Sequence, residues 1–263
     1  MPDQIADIRR ELIVATRMLA NGGVLDAFGH VSVRHPCDPR RYFIPRHCAP
    51  ELAEIADIVE LDLDSKPVRS NSVPLYSERV IHGEIYKARH DVHAVCHHHA
   101  KAVLAFAISG RPLVPVFHLG AVIGQVPFWD QRDEFGDTNM LVVKPEEGAS
   151  LARALGPHWM VLMRRHGAAA AGTNLRELTF RCLFGRDNAE LQSAAIVHGL
   201  VTELTPREIE LAVAHAARPA AIDRAWDYWL RQIEKAGLMP ARDTMKKPPS
   251  QTAKKAAPKK KRR

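Results

Sequence analysis

An α/β layered domain is the fold class this sequence predicts, and three observations point to it. Segments with apolar residues at helical spacing alternate along the chain with short, mostly apolar or alternating stretches, the pattern of helices packed on a sheet. The 263 residues are enough to bury a substantial core without disulfide staples. No run of about 18 apolar residues suggests a spanning helix, and no internal repeat, Gly-x-Gly-x-x-Gly fingerprint or P-loop redirects the reading.

The elements follow in order. Residues 4–20 carry Ile5, Ile8, Leu12, Ala15 and Leu19 at helical spacing, and Asn21-Gly22-Gly23 stops that helix. His30-Val31-Ser32-Val33-Arg34 alternates as a strand, and Tyr42-Phe43-Ile44-Pro45 forms another. Residues 59–63 alternate apolar and acidic side chains ahead of the turn Asp64-Ser65-Lys66-Pro67. Ser77 is placed to cap a helix over 78–89, with Ile81 and Ile85 on its buried face. Residues 92–97 predict a strand, and 100–108 a short helix closed by Ser109-Gly110. Short apolar strands are expected at 113–118 and 140–143, on either side of an irregular stretch with Gly124, Pro127 and a charged run over 130–137. A helix over 147–155 precedes a buried strand over 159–163, which resumes at 168–171 past a kink at Gly167. Asn174 caps a long helix to about 198, and helices at about 206–217 and 219–236 complete the folded part.

The net charge of +7 is concentrated at one end. Nine of the 37 cations lie in 246–263, where there is no acid; the other 28 basic against 30 acidic residues leave the body near −2. Such a body is not a basic nucleic-acid binder, and no specific nucleic-acid partner is expected. The chain therefore divides into one domain over 1–238 and a tail over 239–263. The tail, rich in Lys, Ala and Pro, cannot bury a core; it is expected to be disordered and to meet polyanions weakly and in a salt-dependent way. The acidic start Met1-Pro2-Asp3 leads into a helix and is unlike a signal peptide. Four cysteines without Cys-x-x-Cys spacing fit reduced thiols, so a cytoplasmic protein with no membrane partner is expected.

The densest chemistry is Cys96-His97-His98-His99, at the end of the predicted strand over 92–97. Side chains two apart on a strand share a face, so His97 and His99 emerge together while His98 points the other way. His93 shares the ligand face but lies well back, in a core or supporting place. Two imidazoles on one side suit a divalent metal, although a surface histidine cluster is the plain alternative. A catalytic ion has three protein ligands and an open position. His166, after the apolar strand Trp159–Met163 and followed by Gly167, is the best third ligand; a partly buried histidine bonded to backbone is its alternative. Glu78, at a helix start, is a fourth ligand or a proton-transfer group, against the ordinary reading of a solvated helix glutamate.

These pieces resemble the class II aldolase/adducin family in order and spacing: Gly29-His30-Val31-Ser32, Glu78, the helix Ile81-His82-Gly83-Glu84-Ile85-Tyr86-Lys87-Ala88-Arg89, His97-x-His99, and His166-Gly167. The resemblance covers roughly residues 5–200. It implies a three-layer α/β/α domain around a central, largely antiparallel sheet. It also implies one divalent metal ion per subunit on His97, His99 and His166, and Glu78 as acid/base able to coordinate the empty metal site. Active sites between subunits of a homotetramer are a further implication. Three imidazoles suit zinc, with manganese, iron and cobalt as alternatives.

Departures from the sugar-phosphate aldolases narrow the substrate. Those enzymes cradle phosphate with small polar residues, where this chain has Gly29-His30, Arg46-His47-Cys48-Ala49 and Tyr76-Ser77. Bulky His47 and Tyr76 fill the space that backbone donors offer a phosphate. The same segments, together with Pro127-x-Trp129-Asp130-x-Arg132-Asp133-Glu134-Phe135, resemble the family's metal-dependent decarboxylases of ring acids bearing a neighbouring hydroxyl. Among these are 3,4-dihydroxyphthalate decarboxylases; His47 departs from that subgroup's small polar residue. The expected small-molecule substrate is thus an aromatic or heteroaromatic ortho-hydroxy mono- or dicarboxylic acid. Arg46 and Arg79 are candidates to hold a second carboxylate, and His30 and His47 to orient a hydroxyl or relay protons. The alternatives are an aldolase for a non-phosphorylated hydroxy-acid and a non-catalytic adducin-like binding module.

Overall fold

The computed structural model describes residues 2–70 and 72–241. Its framework is a seven-stranded sheet in the order β3-β2-β1-β4-β7-β6-β5. The strands are β1 (His30–Arg34), β2 (Arg41–Pro45), β3 (Ile58–Asp62), β4 (Ala94–His98), β5 (Phe128–Trp129), β6 (Met160–Met163) and β7 (Gly167–Gly172). All neighbours run antiparallel except β5 and β6. The helices are α1 (Pro2–Asn21), α2 (Val80–Ala88), α3 (Lys101–Ser109), α4 (Arg132–Phe135), α5 (Pro145–Leu155), α6 (Leu175–His198), α7 (Pro206–Ala216) and α8 (Pro219–Lys235).

The pleat sorts the core into two halves. Val31, Val33, Ala94, Cys96, Met160, Leu162, Ala168 and Ala170 face one way, against Leu12, Leu19, Phe106, Leu178, Leu183 and Trp226 of α1, α3, α6 and α8. Tyr42, Ile44, Val95, Val161, Met163, Ala169 and Ala171 face the other way, against Ile81, Ile85, Leu151 and Leu155 of α2 and α5. This is the three-layer α/β/α arrangement expected from the sequence. Four alanines fill β7 from Ala168 to Ala171, all wholly buried, so helices approach the sheet centre closely there. Gly148 does the same between α2 and α5, where a methyl group would press on Glu84 and the Val80 carbonyl.

Three local expectations are corrected. Residues 113–118 run outside the sheet. Pro112 and Pro115 lack an N–H, and side chains of α6 take several of the other backbone bonds. Asn188 bonds Val116 N–H and Val114 carbonyl, and Gln192 bonds Val114 N–H and Pro112 carbonyl. Residues 140–143 also form no strand: Met140 has φ 66°, and the amides of Val142, Val143 and Lys144 are held by the carboxylates of Glu78 and Glu147. Ser77 makes no cap; it opens a single 3₁₀ turn, Ser77–Arg79, and α2 begins only at Val80. The two-residue β5 was too short to leave a periodic signal.

The expected boundary at 239 falls where the chain still lies on the body. Arg17 donates to the Leu238 carbonyl, and the Ala241 N–H to Glu54. The rest of the predicted tail, 242–263, lies outside the described residues.

His98 points to the helix layer opposite His97, wholly buried, with Nδ1 accepting the Ala100 N–H and Nε2 unpartnered. Burial, then the charges of His97 and His99, push its pKa down to about 3 from an ordinary 6.5. Between those values the unfolded chain binds the extra proton, so this group's stabilisation is full above pH 6.5 and is lost as pH falls toward 3. The slope reaches about 1.4 kcal/mol per pH unit. Melting temperatures followed from pH 7 to 4 are expected to fall more steeply in the wild type than in His98→Leu; parallel curves would remove His98 as the source. His93, expected in the core or behind the ligands, is exposed at the strand's beginning.

Candidate metal centre

The centre forms at the end of the sheet where β4 leaves it and the β6–β7 turn meets it. In β4, His97 pairs with His30 of β1 on one side and Ala169 of β7 on the other. His99 follows one residue past the strand, on the same face. The three-residue turn between β6 and β7 carries Arg165 with φ 54°, then His166. Gly167 is required there: a side chain would collide with the His98 carbonyl and the His99 ring.

Three imidazoles converge, with ligand atoms of His97, His99 and His166 all within 4.8 Å of one another. Each ring is oriented through Nδ1. His97 Nδ1 lies 3.1 Å from the Ala168 carbonyl, His166 Nδ1 2.8 Å from the Met140 carbonyl, and His99 Nδ1 3.1 Å from both Asp26 oxygens. These partners only accept, so each Nδ1 carries the hydrogen and each Nε2 presents a lone pair. His97 and His99 then bring their Nε2 atoms to 3.1 Å. Facing lone pairs repel, and a divalent ion between them relieves that repulsion, so the donor set fits a metal.

Glu78 stands beside this cluster. Its Oε2 lies 3.6 Å from the Nε2 of both His97 and His166, and its Oε1 accepts the Val142 N–H at 2.9 Å. Burial alone raises the Glu78 carboxyl, but any positive charge on His166 or His97, 3.6 Å away, outweighs it and holds the group far below the usual carboxylate range. The first-turn helix rationale does not apply: Glu78 sits at φ −89°, ψ 16°, ahead of α2. Burial first, then the charges of His166 and His99, lowers the His97 pKa despite Glu78, which keeps the imidazole in its metal-binding neutral form.

Residues 10–193 match the Class II Aldolase and Adducin N-terminal domain, well over half of the chain. The chain belongs to the class II aldolase and adducin family. Decarboxylase tropJ of Talaromyces stipitatus is 31% identical over 254 residues, covering 87% of this chain and 95% of that protein. A 3,4-dihydroxyphthalate decarboxylase of Arthrobacter keyseri is 28% identical over 193 residues, 68% of this chain and 74% of its own. Among solved structures, an L-fuculose 1-phosphate aldolase from Glaciozyma antarctica superposes with a TM-score of 0.75 at 20% identity. It covers 90% of this chain and 93% of its own, a likeness of fold.

The imidazole cluster opens onto a pocket lined by Phe28, His30, His47, Tyr76, Ser77, Glu78, His99, Leu141 and His166, with a volume of about 360 Å³. His30 and His47, both predicted to meet substrate, thus lie in its wall. Arg46 and Arg79 do not. Arg46 is paired with Asp57 at 2.7 Å, and Arg79 donates to the Ser65 and Tyr76 carbonyls. Both guanidinium groups hold loops beneath the pocket. Phe28 and Leu141 stand at the mouth, 69% and 38% exposed.

Sequence reasoning missed Asp26. Its Oδ1 also accepts the N–H groups of Phe28 and Gly29, so it ties the loop before β1 to His99. The sequence around it, Asp26-Ala27-Phe28-Gly29, signals only a turn. Asp26→Ala is expected to weaken metal binding by about 10- to 100-fold while the fold persists. Competitive titration with a chelator measures this, and unchanged affinity would show that Asp26 does not orient the ligand.

Proposed function

We infer that this chain is a lyase of the carbon–carbon class, a metal-dependent decarboxylase of an aromatic or heteroaromatic ortho-hydroxy acid. The observation that carries the reading is three convergent Nε2 donors with an ionised Glu78 beside them, opening on a pocket walled by Phe28, Tyr76 and Leu141. The decarboxylases among its relatives support the reaction class. No lysine or arginine lines the described pocket, and the bulk of His47 and Tyr76 disfavours a sugar phosphate.

His97, His99 and His166 would hold one divalent ion, zinc or manganese, with iron and cobalt as alternatives. When bound, such an ion supplies Lewis acidity toward substrate oxygens at its open position. The chain's own residues do the rest. Tyr76, Phe28 and Leu141 provide flat and apolar surface for a ring, and His30 and His47 bring polar edges to it. Glu78 is ionised, so it takes the ring hydroxyl proton and passes it to the ring carbon that bears the carboxylate, which makes the ring a β-keto acid. The bond to the carboxyl carbon then breaks, carbon dioxide leaves, and its electron pair stays with the ring. A proton from solvent, relayed through Glu78 or a water, then meets the ring oxygen and restores the hydroxyl.

A homotetramer is part of the reading, supported by the exposed Phe28 and Leu141 at the pocket mouth, side chains that a second subunit would cover. A cytoplasmic setting agrees with four free cysteines and with the lack, among the described residues, of a helix long and apolar enough to cross a membrane. The test is release of carbon dioxide from 3,4-dihydroxyphthalate and related ring acids by protein loaded with zinc or manganese, lost on chelation. Aldehyde and pyruvate from a hydroxy-keto acid, with no carbon dioxide from any ring acid, would move the chain to the aldolases.

A further inference from the structure

Behind the metal centre lies a run of four buried polar side chains, of which the mechanism above uses only His30. His30 Nδ1 is 2.6 Å from His82 Nε2. His82 Nδ1 is 2.6 Å from Ser32 Oγ, which is 2.8 Å from the Tyr86 hydroxyl. His82, Ser32 and Tyr86 are wholly buried, and His30 is nearly so. The run crosses from α2 to β1 and ends at the pocket, since His30 forms part of the wall. Its Nε2 bonds no described protein group, yet it is not among the fully buried unpartnered atoms, so it meets the pocket.

Counting hydrogens gives the run a direction. With both imidazoles neutral, the four side chains carry four hydrogens for three links, so one hydrogen is left over at an end. Burial holds His30 and His82 in that neutral form, His82 down to about 3. Were the spare hydrogen on Tyr86, its wholly buried hydroxyl would point at no described acceptor, since Ser32 is the one described partner of that oxygen. At the other end the spare hydrogen sits on His30 Nε2, facing the pocket, where a substrate oxygen can accept it.

We propose that Tyr86, Ser32 and His82 form a one-way hydrogen-bond chain that holds His30 as a donor, its Nε2–H aimed at an anionic oxygen of the ring acid. Tyr86 donates to Ser32, Ser32 to His82 Nδ1, and His82 Nε2–H to His30 Nδ1. His30 then touches substrate, whereas His82 and Ser32 are positioning residues acting through it. The same chain keeps His30 out of proton transfer: surrendering Nε2–H would pull hydrogens along all three links and leave a buried phenolate on Tyr86, whose pKa burial raises. Proton traffic is therefore left to Glu78. The contact with a ring-acid oxygen rests on the decarboxylase reading; the hydrogen placement on His30 does not.

The test uses the full chain loaded with zinc and labelled with ¹⁵N-histidine. Imidazole ¹⁵N spectra are expected to show His30 and His82 both protonated on Nε2 and bare on Nδ1. In Ser32→Ala, which removes one hydroxyl and no bulk from the pocket, the bare Nδ1 signal of His82 is expected to shift. Affinity for 2-hydroxybenzoate, measured by calorimetry, is expected to fall about tenfold in His30→Phe and to return most of the way in His30→Gln, which keeps an N–H donor. A His30 protonated on Nδ1, or spectra that Ser32→Ala leaves unmoved, would overturn the chain. Equal affinity in wild type and His30→Phe would overturn the contact. Expected spectra and affinities without carbon dioxide release from any ring acid would count against the decarboxylase reading alone.

Discussion

A variant carrying both His97→Ala and His99→Ala is expected to fold, to bind no stoichiometric divalent metal, and to lose carbon dioxide release by about a thousandfold or more. The reason is geometric. The two Nε2 atoms lie 3.1 Å apart with both Nδ1 hydrogens committed elsewhere, so they act as one half of a ligand set that His166 alone cannot replace. Lewis-acid stabilisation of developing charge contributes several kcal/mol. At 1.36 kcal/mol per factor of ten, a loss of about 4 kcal/mol corresponds to three orders of magnitude. Folding survives because the β1, β4 and β7 ladder is made by backbone groups and the two removed rings repel each other without an ion. Metal analysis of the purified variant, far-ultraviolet circular dichroism and a turnover assay check the three parts. Full activity in the folded, metal-free variant would end the metal-dependent reading.

Glu78→Gln is expected to separate metal binding from proton transfer. The amide keeps the volume of the carboxylate and an acceptor oxygen for the Val142 N–H, so the loop over 140–143 stays in place. It cannot take a hydroxyl proton or return one. Loss of a positioned acid/base costs about 10²- to 10⁴-fold. That loss should appear in kcat, with KM within a few-fold and metal content unchanged. The wild-type group is held ionised far below the usual carboxylate range, so kcat should not decline through the ordinary glutamate range on acidification. Loss of metal at low pH should set the acid limb instead. An unchanged kcat in Glu78→Gln would assign the proton to another group.

Much of the frame was legible because its strands and helices carry clear periods. The alternation of His30-Val31-Ser32-Val33 and the helical repeat of Leu12, Ala15 and Leu19 are local signals, and they matched the observed β1 and α1. The errors fell where side chains took over backbone bonding. Residues 113–118 look like a strand in composition, yet Asn188 and Gln192, more than 70 positions away, bond the Val114 amide and carbonyl and the Val116 amide. Residues 140–143 fail for the same reason, with Glu78 and Glu147 as the acceptors. Arg46 and Arg79 carry the right charge for a carboxylate, but charge alone did not reveal that Asp57 and backbone carbonyls already hold them.

By itself, the sequence determined the α/β class, the two-residue spacing that puts His97 and His99 on one face, and the motif order shared with the family. Those properties depend on neighbours along the chain and on the fixed period of a strand. Only the tertiary structure decided which nitrogen of each ring faces the centre, that Asp26 and the Ala168 and Met140 carbonyls fix that choice, and that Glu78 meets two of the three rings. It also decided that His82, unremarkable in the sequence, lies buried between His30 and Ser32. Hydrogen placement depends on what each nitrogen touches, and those partners come from 26 to 73 residues away.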